Sequence, residues 1–173
     1  PAELKLSNRK RCLRDLKELG YQVGTGFMVG SPWQTMANLL EDLAFIRELQ
    51  PQMIGIGPFI PHHATPFKNY PAGTLEQTLT LLSVLRLMFP KVLLPATTAL
   101  GTIVPNGREL GILAGANVVM PNLSPADVRQ NYLLYDNKLC SGAEAAEAKN
   151  DLAARLHSIG YEIAEGRGDY KES

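Results

Sequence analysis

The stretch 52–66, QMIGIGPFIPHHATP, constrains the fold more than any other part of the chain. Met53, Ile54, Ile56, Phe59 and Ile60 form an apolar run without a charge. Such a run, bounded by turn residues, suits a strand buried on both faces, as in parallel sheets. Pro58, Pro61, His62, His63, Thr65 and Pro66 then crowd together, and prolines cannot continue a central strand. The segment therefore reads as a strand and a rigid loop leaving its carboxyl end. In parallel α/β folds that end is where sites are built.

The rest of the chain repeats this arrangement. Strands are predicted at 23–29, 53–59, 92–96 and 116–120. A helix is predicted at 6–19, with Ser7 as its cap and Gly20 as its stop. The next is capped by Thr35 and runs to residue 50, with Met36, Leu39, Leu40, Leu43 and Ile46 as its buried stripe. Further helices are expected at 75–88, 108–113, 124–132 (capped by Ser124) and 143–159. Residues 97–107 read as a polar loop, and 161–173 as a polar tail expected to be partly disordered. Strand–loop–helix alternation implies an α/β fold of parallel strands with right-handed helical crossovers. Two closures stay open. One is a complete doubly wound sheet; the other is half of an eight-stranded barrel, since a whole barrel takes about 250 residues.

Composition narrows the function classes. The 173 residues are 45% apolar, enough for one domain with a real core. Seventeen basic residues balance seventeen acidic ones, which argues against a nucleic-acid surface. No apolar stretch is long enough to span a bilayer, so no membrane partner is expected. Cys12 and Cys140 suggest a reducing compartment, and a cytoplasmic location is expected. The chain opens at Pro1 and enters a charged helix almost at once, as a piece of a longer protein would.

Several residues carry candidate chemistry. GTGFMVGSP, residues 24–32, places glycines at alternate strand positions. That lets a flat heterocycle such as adenine approach the backbone, although tight helix–sheet packing explains the spacing more simply. His62 and His63 could turn toward one ion, but no third ligand neighbours them in sequence, and no metal site is expected. Thr97 and Thr98 could hold a carboxylate or another anion, or simply make a turn. Arg9 sits among Lys10, Arg11 and Arg14 in the first turn of a helix, where cations oppose the helix dipole. Most of that cluster reads as a solvated face, with one cation open to another task. Tyr132 and Tyr135 lie nearly one helical turn apart and are equally compatible with core packing. Arg108 has Glu109 beside it as the simplest partner. No Ser-His-Asp order, Walker loop or paired carboxylate stands out, and the catalytic residues stay unknown.

Taken together, GTGFMVGSPWQT, MIGIGPFIPHHATP, LPATTALGTIVPNGREL, GANVVMPNLSP and RQNYLLYDNKLC resemble the carboxyl-terminal half of the HydE-type radical-SAM proteins of FeFe-hydrogenase maturation. Biotin synthase and methylornithine synthase are relatives of that family. The resemblance implies the carboxyl-terminal half of a radical-SAM (β/α)8 TIM barrel, with barrel units over 6–140 and a terminal helix and tail over 141–173. It implies S-adenosylmethionine and a 4Fe–4S cluster, cleavage to a 5′-deoxyadenosyl radical, and a sulfur-bearing, cysteine-derived iron carbonyl–cyanide substrate. Other hydrogenase maturation proteins are the implied partners. Arg9 falls where the family binds the methionyl carboxylate of the cofactor, and Gly26, Met28 and Gly30 on the strand lying against it. Tyr132 falls near cofactor and substrate. Met53, Thr97, Thr98 and Tyr135 fall on the substrate side.

Departures from the family pattern accompany these matches. The C-x-x-x-C-x-x-C cluster motif is absent, and SGAEAAEAKNDL carries no accessory-cluster cysteine. Trp33 stands where a smaller residue is usual. The implied cluster ligands then lie in an amino-terminal half, and the fragment alone is expected to be inactive. The alternatives are a biotin- or methylornithine-synthase-like radical enzyme, or a non-catalytic half-barrel binding module.

Overall fold

Strands β1 (Gly24–Val29) and β2 (Met53–Pro58) pair in parallel over their whole length, from Gly24 opposite Met53 to Val29 opposite Pro58. A computed structural model describes residues 5–121, 125, 127–128, 131, 133–138, 145–164 and 166–171. Strands β3 (Pro95–Ala96) and β4 (Val118–Val119) form a second, shorter parallel pair. A bridge between Met53 and Leu93 joins the two pairs, with Ile54 N donating to Leu93 O at 2.9 Å and Leu93 N to Gln52 O at 3.0 Å. The strand order is thus β1-β2-β3-β4, the sequential order of a barrel wall.

Helices α1 (Leu6–Glu18), α2 (Met36–Leu49), α3 (Leu75–Met88), α4 (Thr98–Ile103), α5 (Gly107–Leu113) and α6 (Ala145–Ser158) alternate with or follow the strands. Thr35 caps α2 in a full capping box with Asn38, as the sequence predicts. Thr74 caps α3 by accepting from Gln77 N. Gln50 ends α2 in the left-handed region at φ 49°, ahead of the buried Pro51.

Several expectations are corrected. Ser7 is not a cap: α1 begins at Leu6, and its N-cap, Lys5, makes no side-chain capping bond. The buried stripe of α2 is Leu39, Phe45, Ile46 and Leu49, whereas Met36 and Leu40 are exposed. Phe45 and Leu49 turn inward because they meet Val23, with Leu13 of α1 beside them, in a small second cluster. Part of the predicted polar loop, Thr98–Ile103, is helix α4, anchored by the fully buried Leu100. There α5 packs so closely that a Cβ at Gly107 would lie 2.0 Å from Leu100 O. The third and fourth strands are shorter than predicted. Pro95 has no N–H for a ladder, and Leu94 N donates to the Asn117 side chain instead. The predicted helix 124–132 lies mostly outside the described residues, as do its cap Ser124 and Cys140.

The core collects one face of the sheet and the helices that cover it. Val29, Ile54, Ile56, Leu94 and Leu100 pack with Ile46 of α2 and Leu82 and Leu85 of α3. Leu152 and Leu156 bring α6 into the same cluster, and Ile163 of the tail packs against it. The tail therefore contributes to the core. Among the described residues no helix is long and apolar enough to cross a membrane.

Candidate functional site: an open strand face and its rim

Side chains alternate across a strand, so β1 and β2 present two faces. Thr25, Phe27, Val29, Ile54, Ile56 and Pro58 form the better-covered face, fully buried at Val29, Ile54 and Ile56. Gly24, Gly26, Met28, Met53, Gly55 and Gly57 form the other, paired in register across the two strands. Gly24 and Gly26 are exposed, and Met28 is 58% exposed. In a closed (β/α)8 barrel this second face points into the barrel.

The glycines on this face have separate causes. A Cβ at Gly26 would fall 1.8 Å from Gly55 O, so close strand approach alone requires glycine there. Gly30 has φ 75° and would set a Cβ 2.5 Å from Gly73 Cα, so a turn and a tight contact both demand it. Gly55 differs: a Cβ there meets nothing within 4 Å. Its missing side chain leaves free space on the face. The sequence reading passed over Gly55, and its alternation with Met53 and Gly57 was the available signal.

Thr97 lies against this face. A Cβ on Gly57 would come within 2.6 Å of Thr97 Oγ1, and Gly57 is the register partner of Met28. Thr97 Oγ1 is buried and has no hydrogen-bond partner among the described residues. A buried hydroxyl without a partner costs about 1–3 kcal/mol, so an atom supplied by a ligand is the natural complement. Thr98 opens α4 directly behind it. The fold thus brings Gly26, Met28, Met53 and Thr97 to one surface.

Arg9 reaches that surface through no described contact; it is exposed in the first turn of α1. Its neighbours are engaged. Lys10 lies over the Phe45 ring at 4.7 Å, Arg11 pairs with Asp15, and Arg14 donates to Glu48 at 2.8 Å. Arg9 itself forms no ion pair among the described residues. Lys17 donates to Leu49 O and to Gln50 O. These contacts lay α1 alongside α2 in the same direction, with its first turn toward the carboxyl ends of the strands.

Loops finish the rim. The Gln34 amide accepts from Gly30 N at 2.7 Å and donates to Met28 O at 2.9 Å, fixing the exit of β1. Trp33, at φ 63° and 74% exposed, meets Tyr70 edge-on at 5.2 Å and Phe67 at 6.1 Å, tying the loops after β1 and β2 together. After β2, His62 and His63 stack at 4.3 Å. Asp136 N donates to Pro61 O at 3.1 Å, and Asp136 Oδ1 lies 2.7 Å from His63 Nδ1. The hydrogen bond from His63 holds the Asp136 carboxyl below its ordinary range. Tyr135 is half-buried in the same docked segment; Tyr132 lies outside the described residues.

Behind the sheet, Glu109 of α5 is buried and pairs with Arg155 of α6, whose second nitrogen reaches Glu109 Oε2 at 2.8 Å. Glu109 thus serves α6, leaving Arg108 Nε buried without a partner among the described residues. Burial, and then the nearby Arg155, push the Arg108 guanidinium below its usual value.

Comparison with known proteins agrees with this geometry. No family model matches the chain. It is 51% identical over 133 residues to the FeFe hydrogenase maturase subunit HydE of Thermotoga maritima, covering 77% of this chain and 38% of that protein. It is 33% identical over 131 residues to a 3-methylornithine synthase of Methanosarcina barkeri, covering 76% of this chain and 37% of that one. The crystal structure of methylornithine synthase, PylB, superposes with a TM-score of 0.70 at 26% identity, over 93% of this chain and 46% of that one. The chain thus spans less than half the length of these relatives.

Fold and likeness together make the chain the carboxyl-terminal half of a radical-SAM (β/α)8 barrel. Within that class it is similar to the HydE type, at 51% identity over 77% of this chain.

Proposed function

We propose that the whole protein carrying this half-barrel is a radical S-adenosylmethionine enzyme of FeFe-hydrogenase H-cluster assembly. Its proposed substrate is a sulfur-bearing, cysteine-derived iron carbonyl–cyanide precursor. The observation that carries this reading is the unpaired Thr97 hydroxyl set against the open Met28–Gly57 face, in a chain 51% identical to a HydE.

The residues present fit the nucleoside cofactor. Gly55 leaves room for a flat ring on the face, and Met28 stands exposed beside it. Arg9, without an ion pair among the described residues, is free for a carboxylate. Arg9, Gly26, Met28, Gly30 and Tyr132 are assigned to S-adenosylmethionine, and Met53, Thr97, Thr98 and Tyr135 to the substrate. The chain's residues do not fit the 4Fe–4S cluster, because Cys12 and Cys140 make no cluster motif. Its ligands are assigned to residues outside this chain, and the chain alone is taken to be inactive. When bound with its cluster, S-adenosylmethionine supplies a 5′-deoxyadenosyl radical. The half-barrel's own work is to seat the cofactor, position the substrate against it and keep water out.

Residues 6–140 are read as barrel units and 141–173 as an appended helix and tail, which Arg155 fastens to α5. Partners are the other hydrogenase maturation proteins and the iron-complex substrate, with neither nucleic acid nor membrane, in the cytoplasm. A methylornithine-synthase-like reaction is the second reading, favoured by the 0.70 superposition with PylB. A biotin-synthase-like reaction follows it.

The test is the full-length protein reconstituted with iron and sulfide. Cleavage of S-adenosylmethionine under strong reductant, with activation of hydrogenase, is expected; failure to cleave it sinks the proposal. Turnover of lysine or dethiobiotin without hydrogenase activation transfers the assignment to the second or third reading. Thr97→Val should leave the fold intact, because the hydroxyl it removes is unpaired. It should raise the KM for substrate about tenfold, the loss of one buried hydrogen bond.

A further inference from the structure

We propose that His62, His63 and Asp136 bind one divalent transition-metal ion at the rim of the barrel mouth. This site is separate from the strand face and does not depend on the reading above.

The two histidines are adjacent in sequence, but the third ligand comes from 73 residues away. Main-chain docking delivers it: Asp136 N is held on Pro61 O at 3.1 Å, which sets the carboxylate beside the imidazoles. One ligand atom from each of the three residues lies within 4.8 Å of the others. A zinc-sized ion holds nitrogen and oxygen ligands at about 2.0–2.2 Å, which sets donors about 3.5 Å apart. The His63 side chain is 76% exposed, which leaves it room to turn toward an ion.

His62 Nδ1 accepts the Ala64 N–H at 3.1 Å, so an ion taking this lone pair would replace that hydrogen bond. His63 Nδ1 faces Asp136 Oδ1 at 2.7 Å, a contact that an ion bound between the two would replace. Two imidazoles and one carboxylate form a borderline donor set. It suits Zn²⁺, Co²⁺ or Ni²⁺ over the oxygen-seeking Mg²⁺ and Ca²⁺. The ion would clip the segment 133–138 to the loop after β2, next to Tyr135. The plainer account is a metal-free hydrogen bond between His63 and Asp136, and the experiment separates the two.

Chelator-washed protein is titrated with Co²⁺, free of iron and sulfide, and followed by visible absorption. One equivalent should bind, with the d–d bands of nitrogen and oxygen ligation and no thiolate charge-transfer band. His63→Ala and Asp136→Asn should each weaken binding at least tenfold, and the His62→Ala, His63→Ala double variant should abolish it. Unfolding in chelator should stay cooperative in the histidine variants, with at most the small loss of the His63–Asp136 contact, confirming that they fold. Absence of saturable binding, binding unaltered in the double variant, or a thiolate band would each overturn the proposal.

Discussion

The two strand pairs of this half-barrel are held by different means. β1 and β2 share a full backbone ladder in unbroken register, so the side chains of one face are released from structural duty while Val29, Ile54 and Ile56 on the other pack the core. One face can then be nearly bare, with four glycines and two methionines in Gly24, Gly26, Met28, Met53, Gly55 and Gly57. β3 and β4 pair over two residues only, and side chains supply what the ladder does not. Asn117 Oδ1 accepts from Leu94 N at 2.8 Å. Arg86 Nε donates to Gly115 O at 2.7 Å, and Ser83 Oγ to Ala114 O at 2.9 Å. Glu109 and Arg155 fasten α6 behind them. An open surface is therefore available where the backbone does the holding, and side chains are committed where it does not.

Breaking the second pair should cost most. Glu109→Ala leaves the Arg155 and Arg108 guanidiniums facing each other with Asp151 as the nearby carboxylate. Because Arg155 is 30% exposed, the loss should be about 2–3 kcal/mol, below the range for a fully buried pair. A lower denaturant midpoint with an unchanged slope checks it. Asn117→Ala should cost about 1–2 kcal/mol, since Leu94 N–H loses its acceptor. Hydrogen exchange at Leu94 should rise while exchange at Ile54 and Ile56 holds; equal acceleration in both pairs would erase the contrast.

The first pair should be more forgiving. Thr35→Ala removes the α2 cap, which includes acceptance from Asn38 N at 3.3 Å, and should cost about 1 kcal/mol. The ladder from Thr25 to Val29 should keep its exchange protection.

The smallest effect is the pH response of the rim. His63 lowers the Asp136 carboxyl from its ordinary 3.8. A depressed carboxylate stabilises the fold fully above its unfolded value and loses that contribution as pH falls through the folded one. In metal-free protein, the acid side of the stability profile below pH 3.8 should therefore be slightly shallower in Asp136→Asn than in the unaltered chain. Superimposable profiles would mean that the His63 contact adds nothing.

Local signals account for what was legible beforehand. The apolar run from Met53, the Thr35 cap and the stop at Gly20 act within a few residues, and each appears where its chemistry requires. The α2 stripe was misjudged because helical period alone does not say which flank meets Val23. Residues 97–107 looked polar and irregular, yet Leu100 found a fully buried pocket, and packing overrode composition. The GTGFMVG pattern was visible, but coordinates were needed to separate a glycine required by its neighbour's backbone, Gly26, from one that leaves space, Gly55.

By itself the sequence determined the alternation of strands and helices, the end of the sheet at which loops gather, and the kinship with HydE. Those properties rest on local backbone preference and on the order of residues. Tertiary structure alone decided that Thr97 lies bare against Gly57, that Asp136 arrives beside His63, and that Glu109 serves Arg155. Each of these joins distant parts of the chain, and such a contact exists only once the core beneath it has closed.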